Sequence, residues 1–521
     1  MSKVIEQPTR PFIPYGLCVL LFVCVWLQVF IARNTTLDTI LLQILGSCMA
    51  AALGLWYVKY AHTSLMTVGT VLLLLVIIFI RSSFIYASQM ASVDLLESTA
   101  IHNFELVVSR DLVYKNHTWT GQANVMYQGR CIGSVGLHAK EPFLRETYLC
   151  CEGRFTQYKD KEFSEEQFKR GVLGSIQITK VNSKIYGEGI IGEVAQFREN
   201  CISQLQPEQS FGRALVACGL CAYRPSLYSF NIPRIFMRCG LMHLIAISSC
   251  HMVILSAFID AFLKKLTIKP LLRGVVNLFL LSSYALFCGL PASAMRAILL
   301  VEQKYVMQCV GRKNHTLSAV SIVALFMLCI DPQLSVNIAF TLSLACIFGM
   351  NIYGGLAQYY AKIAFHISGY GTIQKILRKP FSDVRNTMCA TTVAQLSCLP
   401  ISCMYFGHFS LLAPLSSALI TSLFSLLSLF GIGAIALCWF KPAQDVAFCL
   451  VDFLGQFIET LTSFLSERSF ASVSLTDMSW IASLLVFAAM VTLYVFWPKG
   501  KRAVLSGICL MVFMLILGLS I

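Results

Sequence analysis

Nothing in this sequence supplies a familiar catalytic machine. There is no His-Glu-x-x-His motif, no His-x-His-x-Asp-His cluster and no glycine-rich Walker loop ending in lysine. Zinc-assisted proteolysis and Walker-type ATP hydrolysis are thereby excluded. No paired Cys-x-x-Cys motifs and no Cys/His cluster have zinc spacing. Most of the 21 cysteines fall in apolar segments, where a thiol behaves as a small hydrophobe. Charge is scarce too: Asp, Glu, Lys and Arg make up 13% of 521 residues, against 57% hydrophobic. That balance excludes an ordinary soluble protein. A clear cleavable signal peptide is also lacking, since polar residues 2–14 precede an apolar run followed by further such runs.

What is there is hydrophobic length. Apolar runs at about 15–31, 38–58 and 65–87 approach the ~20 residues that cross a ~30 Å hydrocarbon core. Lys3 and Arg10 ahead of the first run, with Lys59 after the second, favour a cytoplasmic N-terminus. The net charge of +14 resides mostly in short loops between spans, as the positive-inside rule expects.

Residues 100–206 change character. Thirteen Lys or Arg face twelve Asp or Glu there, so this stretch is charged but balanced. Short β-rich runs at 104–114, 119–127, 147–155 and 175–186 are punctuated by glycines. Roughly five strands in ~100 residues predict a small closed barrel of OB type. Tyr114, Trp119, Tyr127, Phe155 and Tyr158 are available for stacking on a nucleic acid, or for the barrel's own core. Three preceding spans put this domain outside the cytoplasm, where a bridge from Cys131 to Cys150 or Cys151 is conceivable.

Residues 207–239, broken by Pro207, Pro225 and Pro233, read as an amphipathic interfacial region. Then comes GLMHLIAISSCHMVIL from Gly240 to Leu255, apolar yet carrying His243, Ser248, Ser249 and His251. At 3.6 residues per turn His243, Ser248 and His251 share one broad helical face. Such a stripe faces other helices or water, not lipid. It serves either a hydrogen-bonded helix contact or a water-lined path. Ser248 and His251 lack the further groups that would complete a nucleophilic site, so transport is favoured over catalysis. Alternating apolar segments and basic loops continue to about residue 440. Residues 441–521 supply further membrane helices, one with Asp445, Asp452 and Glu459 at intervals of seven. The fold expected is a polytopic α-helical membrane protein of about 10–13 spans with an inserted small β domain.

Four segments together resemble the ComEC-type competence proteins, inner-membrane channels for transforming DNA. They are GLMHLIAISSCHMVIL, PASAMRAILL, NIAFTLSLACIFG and AQLSCLPISCMYFGHFSLLAPLSS. In order and spacing they resemble the family's successive signatures over about 211–440. The characteristic positions fall on Gly240, His243, Ser248, His251, Pro291, Arg296, Phe340, Gln395, Pro400, Phe406 and Gly407. Ser249 and Ala292 stand where the family has Gly and a second Pro. The resemblance implies a core at 240–440 that passes single-stranded DNA inward across a bacterial cytoplasmic membrane. It also implies an outer DNA-receptor protein and a cytoplasmic helicase-like motor as partners; from the missing ligand motifs no cofactor and no metal are expected. Many relatives carry a C-terminal metallo-β-lactamase-like domain; residues 441–521 do not resemble it, so no enzyme activity is expected. A transporter of a smaller anionic or amphiphilic solute, or a membrane scaffold without transport, are the alternatives.

Overall fold

The computed structural model describes residues between 77 and 474, leaving out 1–76, 97–101, 159–166, 246–248, 312–315, 365–383, 399–401, 403–407, 475–521 and a few shorter gaps. The expected spans at 15–31 and 38–58, most of 65–87, and those at 478–497 and 503–521 therefore lie outside the described residues.

The balanced, glycine-punctuated region forms the expected closed barrel. Its strands are β1 (His102–Val108), β2 (Val113–Lys115), β3 (Thr118–Tyr127), β4 (Arg130–Ala139), β5 (Thr147–Thr156) and β6 (Val172–Tyr186). The sheet order β1-β5-β6-β4-β3 closes through antiparallel pairing of β3 with β1, and β2 extends β3 at the margin. One pairing is parallel, that of β4 with β6. Gln128 and Gly129, both at positive φ, make the two-residue link between β3 and β4, the backbone that matches the twist of a tight hairpin. Closure removes the sheet edges that would otherwise invite pairing with another chain. Leu106, Val108, Ala123, Val125, Val135, Leu137, Leu149, Cys151 and Ile176 fill the interior. Trp119 and Phe155 pack against this core, whereas Tyr114 and Tyr127 remain exposed.

The possible disulfide is not formed. Cys131, Cys150 and Cys151 are all free. Cys131 begins β4, while β5, which carries the other two, lies between β1 and β6.

Helix α1 (Gly189–Leu205) leaves the barrel and is tied back to it. Arg198, almost wholly buried, grips Asp111 with two hydrogen bonds of 3.0 and 2.6 Å and donates a third, 2.7 Å long, to the Cys221 carbonyl. The segment 207–239, expected as an amphipathic interfacial region, contains three short helices: α2 (Phe211–Cys221), α3 (Pro225–Ser229) and α4 (Ile232–Cys239). Pro225 and Pro233 sit in the first turns of α3 and α4, where proline's missing N–H is harmless. Far from lying on a surface, α2 is buried along nearly its whole length.

Further helices are α5 (Met242–Ile245), α6 (Ser249–Lys265), α7 (Pro270–Cys288), α8 (Ala292–Cys309), α9 (Thr316–Ile330) and α10 (Ile338–Ala364). Then come β7 (His408–Ser410), α11 (Ala413–Ala436), α12 (Lys441–Ser466) and β8 (Ser472–Ser474), which pairs with β7. Among the described residues α7, α11 and α12 are long and apolar enough to cross a membrane. Their outward side chains suit hydrocarbon: Phe279 is 70% exposed and Phe453 67%. Asn277 and Ser416, by contrast, are wholly buried. This inversion of a soluble protein's distribution marks a membrane protein.

Helix α2 is wedged against α11 and α12. A Cβ on Gly455 would lie 2.3 Å from the Gly212 Cα, so α2 and α12 touch backbone to backbone, as small residues permit in membranes. Beside that crossing, Arg213 holds Asp452 through bonds of 2.9 and 2.7 Å, and Ser210 also reaches that carboxylate. The acidic face of α12 is thus turned in part toward the bundle. A second polar cluster joins α6 to α7 and α8: Arg273 and Lys264 both pair with Asp260, and Asn277 donates to the Tyr305 hydroxyl.

Burial, and secondarily the neighbouring Cys150, pushes the Cys151 thiol up to about 12. At pH 8 its thiolate fraction is then roughly one in ten thousand. Folded protein treated with a maleimide at that pH should label exposed Cys131 and spare Cys151, with Cys151 reacting after denaturation. Equal labelling of both in the native state would contradict the closed barrel.

Candidate functional site: the helix break at Gly240

The stretch read as a helix starting at Gly240 begins at Met242, because Gly240 closes the preceding helix. Gly240 ends α4 in the left-handed region, at φ 71° and ψ 23°. Its N–H donates to the Met237 carbonyl at 3.1 Å, and the Leu241 N–H reaches the Phe236 carbonyl at 2.8 Å. These bonds close the helix in the manner of a Schellman cap. Helix is found at Met242–Ile245 and again from Ser249. His243 and His251 therefore belong to separate described segments.

A helix ending inside the bundle leaves carbonyls without partners. Two hydroxyls supply them here. Ser410 Oγ donates to the Arg238 carbonyl at 2.8 Å, and Ser416 Oγ donates to the Cys239 carbonyl at 2.6 Å. Gln395 Nε2 in turn donates to the Ser410 carbonyl at 3.2 Å. The start of α11 fits into the break: a Cβ on Gly240 would lie 2.2 Å from the Ala413 Cβ and 3.1 Å from that of Ser410. Glycine is required there for conformation and for space.

His243 follows the break. Its neighbours Leu244 and Ile245 are buried, while His243 itself is exposed and hydrogen-bonds the Gly240 backbone. His243 thus stands beside the cap with surface of its own, held by the Gly240 backbone. Irregular backbone at membrane depth is tolerated where protein covers it or where it lines a wet cavity.

The other predicted residues fall in several places. Gly240 and Gln395 meet through Ser410. Pro291 caps α8. Arg296, within α8, has no accessible surface and lies within electrostatic reach of Cys346 on α10. Phe340 is fully buried near the start of α10, its N–H donating to Asn337 Oδ1 at 3.3 Å. His251 lies in α6; Ser248, Pro400, Phe406 and Gly407 lie outside the described residues. Sequence reasoning missed Ser410, Ser416 and the capping Asn337, since a serine's carbonyl partner across the bundle leaves no trace in spacing. It also passed over the single Cys-x-x-Cys, Cys218–Cys221, whose buried thiols lie in α2, with Cys218 donating to the Ile245 carbonyl. No group of three or more His, Cys, Asp or Glu suited to a metal occurs among the described residues.

Gly240→Ala should cost about 1–3 kcal/mol for the left-handed backbone, plus about 1–3 kcal/mol for overpacking against Ala413. Ser416→Ala should cost about 1–3 kcal/mol by orphaning a buried carbonyl. Thermal unfolding in detergent would measure both. A Gly240→Ala protein as stable as the parent would refute the cap described here.

Neither the curated proteins nor the solved structures contain a match to this chain. The model of the competence protein family matches residues 226–500, from α3 through the Gly240 break and beyond α12. That match spans more than half of the sequence, and the chain belongs to the competence protein family.

Proposed function

We propose that this protein is a channel passing single-stranded DNA inward across the cytoplasmic membrane of a bacterium during natural competence. The observation that carries this reading is the family match, which runs across the Gly240 cap between α4 and α5 and across all three helices able to span a membrane. A polyanion needs a wet route, and irregular backbone between short helices is tolerated at membrane depth where it lines such a route or is covered by protein. The small barrel supports the reading. Taking β1, β3, β4, β5 and β6 as its five strands, the cyclic order and the parallel β4–β6 pairing agree with an OB-type barrel, a frequent binder of single strands.

In this reading the barrel lies outside the cytoplasm, a DNA receptor delivers substrate to it, and a helicase-like motor draws the strand from within. The protein carries the strand without cutting it. A transporter of smaller anionic solutes and a scaffold without transport are the competing readings. Labelled DNA scored outside and inside the inner membrane of a deletion strain separates them. The channel predicts DNA retained outside that membrane, with solute uptake unchanged. Normal entry of DNA into the cytoplasm would overturn it.

Arg296 takes a structural part in this scheme, because it has no accessible surface. A guanidinium enclosed among helices fills volume that its neighbours pack around, and its shortening leaves a void. Arg296→Gln and Arg296→Lys should both lower the yield of folded protein, with uptake falling in proportion. Well-folded Arg296→Gln protein with selectively lost uptake would restore the path-lining role.

A further inference from the structure

Helices α6, α7 and α8 share a core that includes Met252, Leu281 and Tyr305, and toward the α6–α7 turn that packing becomes polar. Asp260 is 7% exposed and faces two cations, Arg273 Nη1 at 2.8 Å and Lys264 Nζ at 2.7 Å. Asn277, wholly buried, donates from Nδ2 to the Tyr305 hydroxyl and to the Arg273 carbonyl, each at 3.0 Å. Glu302 of α8 stands against the same turn of α7. A Cβ on Gly274 would lie 3.1 Å from Tyr305 Cβ and 3.5 Å from Glu302 Oε2. The Glu302 carboxyl thus lies over the stretch of α7 that runs from Arg273 to Asn277.

Three polar atoms around this stretch are unsatisfied within the protein. Glu302 Oε1 and Asn277 Oδ1, both acceptors, and Arg273 Nε, a donor, are shut from water and have no hydrogen-bond partner. Glu302 makes no ion pair among the described residues either. Such orphans are rare in folded proteins and need a cause. An ionised carboxylate with an oxygen cut off from water and donors bears its desolvation cost in full; a protonated one does not. Protonated, the carboxyl is a donor, and Asn277 Oδ1 is an acceptor that lacks one. Ionised, it suits a guanidinium, and Arg273 Nε is free because Asp260 takes Nη1. Each form of the one carboxyl therefore has a partner waiting on α7. The other titratable groups nearby are Asp260 and Lys264 on α6, Lys304 and Tyr305 on α8, and the exposed Lys265 and Lys269 of the α6–α7 turn. Helix α9 carries Cys329 and no charged residue; α10 carries Cys346, three tyrosines and Lys362. Arg312 and Lys313, beyond α8, lie outside the described residues.

We infer that Glu302 is a proton-binding site, its protonated carboxyl donating to Asn277 and its ionised carboxylate pairing with Arg273. On release the O–H bond breaks, the proton passes to water, and the electron pair stays on the carboxylate, whose charge Arg273 balances. Glu302 as a residue is only half-buried, so water can take the proton. Proton occupancy thereby decides which residue of α7 is tied to α8. A metal cation is the wrong occupant, since Arg273 and Lys264 stand beside the site and repel it. An ionisable group enclosed among membrane helices marks an ion or proton route. The site holds whatever the cargo is, so it stands apart from the channel reading.

The test uses the full chain in nanodiscs and follows the infrared carbonyl stretch of protonated carboxyls as pH is raised from about 6 to 9, above the range of exposed carboxyls. The wild type should show a band that disappears over this range, and Glu302→Gln should lack it from the start. Asn277→Ala should keep the band and move it toward the frequency of an unbonded carboxyl. Glu302→Asp keeps a carboxyl on a shorter arm and should show a titrating band at a changed frequency, which decides the matter if Glu302→Gln does not fold. Raising sodium at fixed pH should leave the wild-type band in place. A wild type with no titrating band would overturn the inference, as would the same band in folded Glu302→Gln. An Asn277→Ala band at the wild-type frequency would remove Asn277 as the partner and with it the exchange. Loss of the band to sodium at fixed pH would make the occupant a metal cation instead.

Discussion

Hydrocarbon offers no partner to a peptide group, and the membrane core is arranged around that constraint. A helix may stop inside the bundle only if its last carbonyls find donors. At Gly240 they find the hydroxyls of Ser410 and Ser416, at 2.8 and 2.6 Å. Those serines come from about 170 residues further along, so the break and the α11 start are a single structural unit. Gly240 admits no Cβ against Ala413, and Gln395 fastens Ser410 from a third segment. Removing any member opens a backbone group that only water can satisfy. The unit that tolerates a broken helix therefore also decides whether water stays out of it.

The same logic fixes the other joints. Between α2 and α12, Gly212 and Gly455 bring two backbones into contact, and Arg213 with Asp452 closes one side of the crossing. Lipid tails are as apolar as leucine, so close packing and hydrogen bonds, rather than the hydrophobic effect, hold such helices together. The barrel is different. Its interior is a conventional apolar core, and it joins the helices through arginine donors: Arg198 to the Cys221 carbonyl and Arg145 to that of Cys288. Each bond satisfies a carbonyl at or next to the end of a helix, where a positive group also complements the helix dipole.

The sequence was most informative where composition alone decides. Balanced charge and frequent glycine between 100 and 206 marked the barrel, and apolar runs marked the helices. Period and spacing could not reveal a helix end inside an apolar run. Gly240 looked like the first residue of a helix, whereas its left-handed φ makes it the last cap of α4. Likewise, within amphipathic, proline-broken 207–239, spacing could not tell which helix is enclosed; α2 is small and apolar enough to be so. Arg296 stood out as a charge among apolar residues, but only packing could show it sealed from solvent. Partners distant in sequence, such as Ser416 for Cys239 or Asp452 for Arg213, leave no local signature at either end.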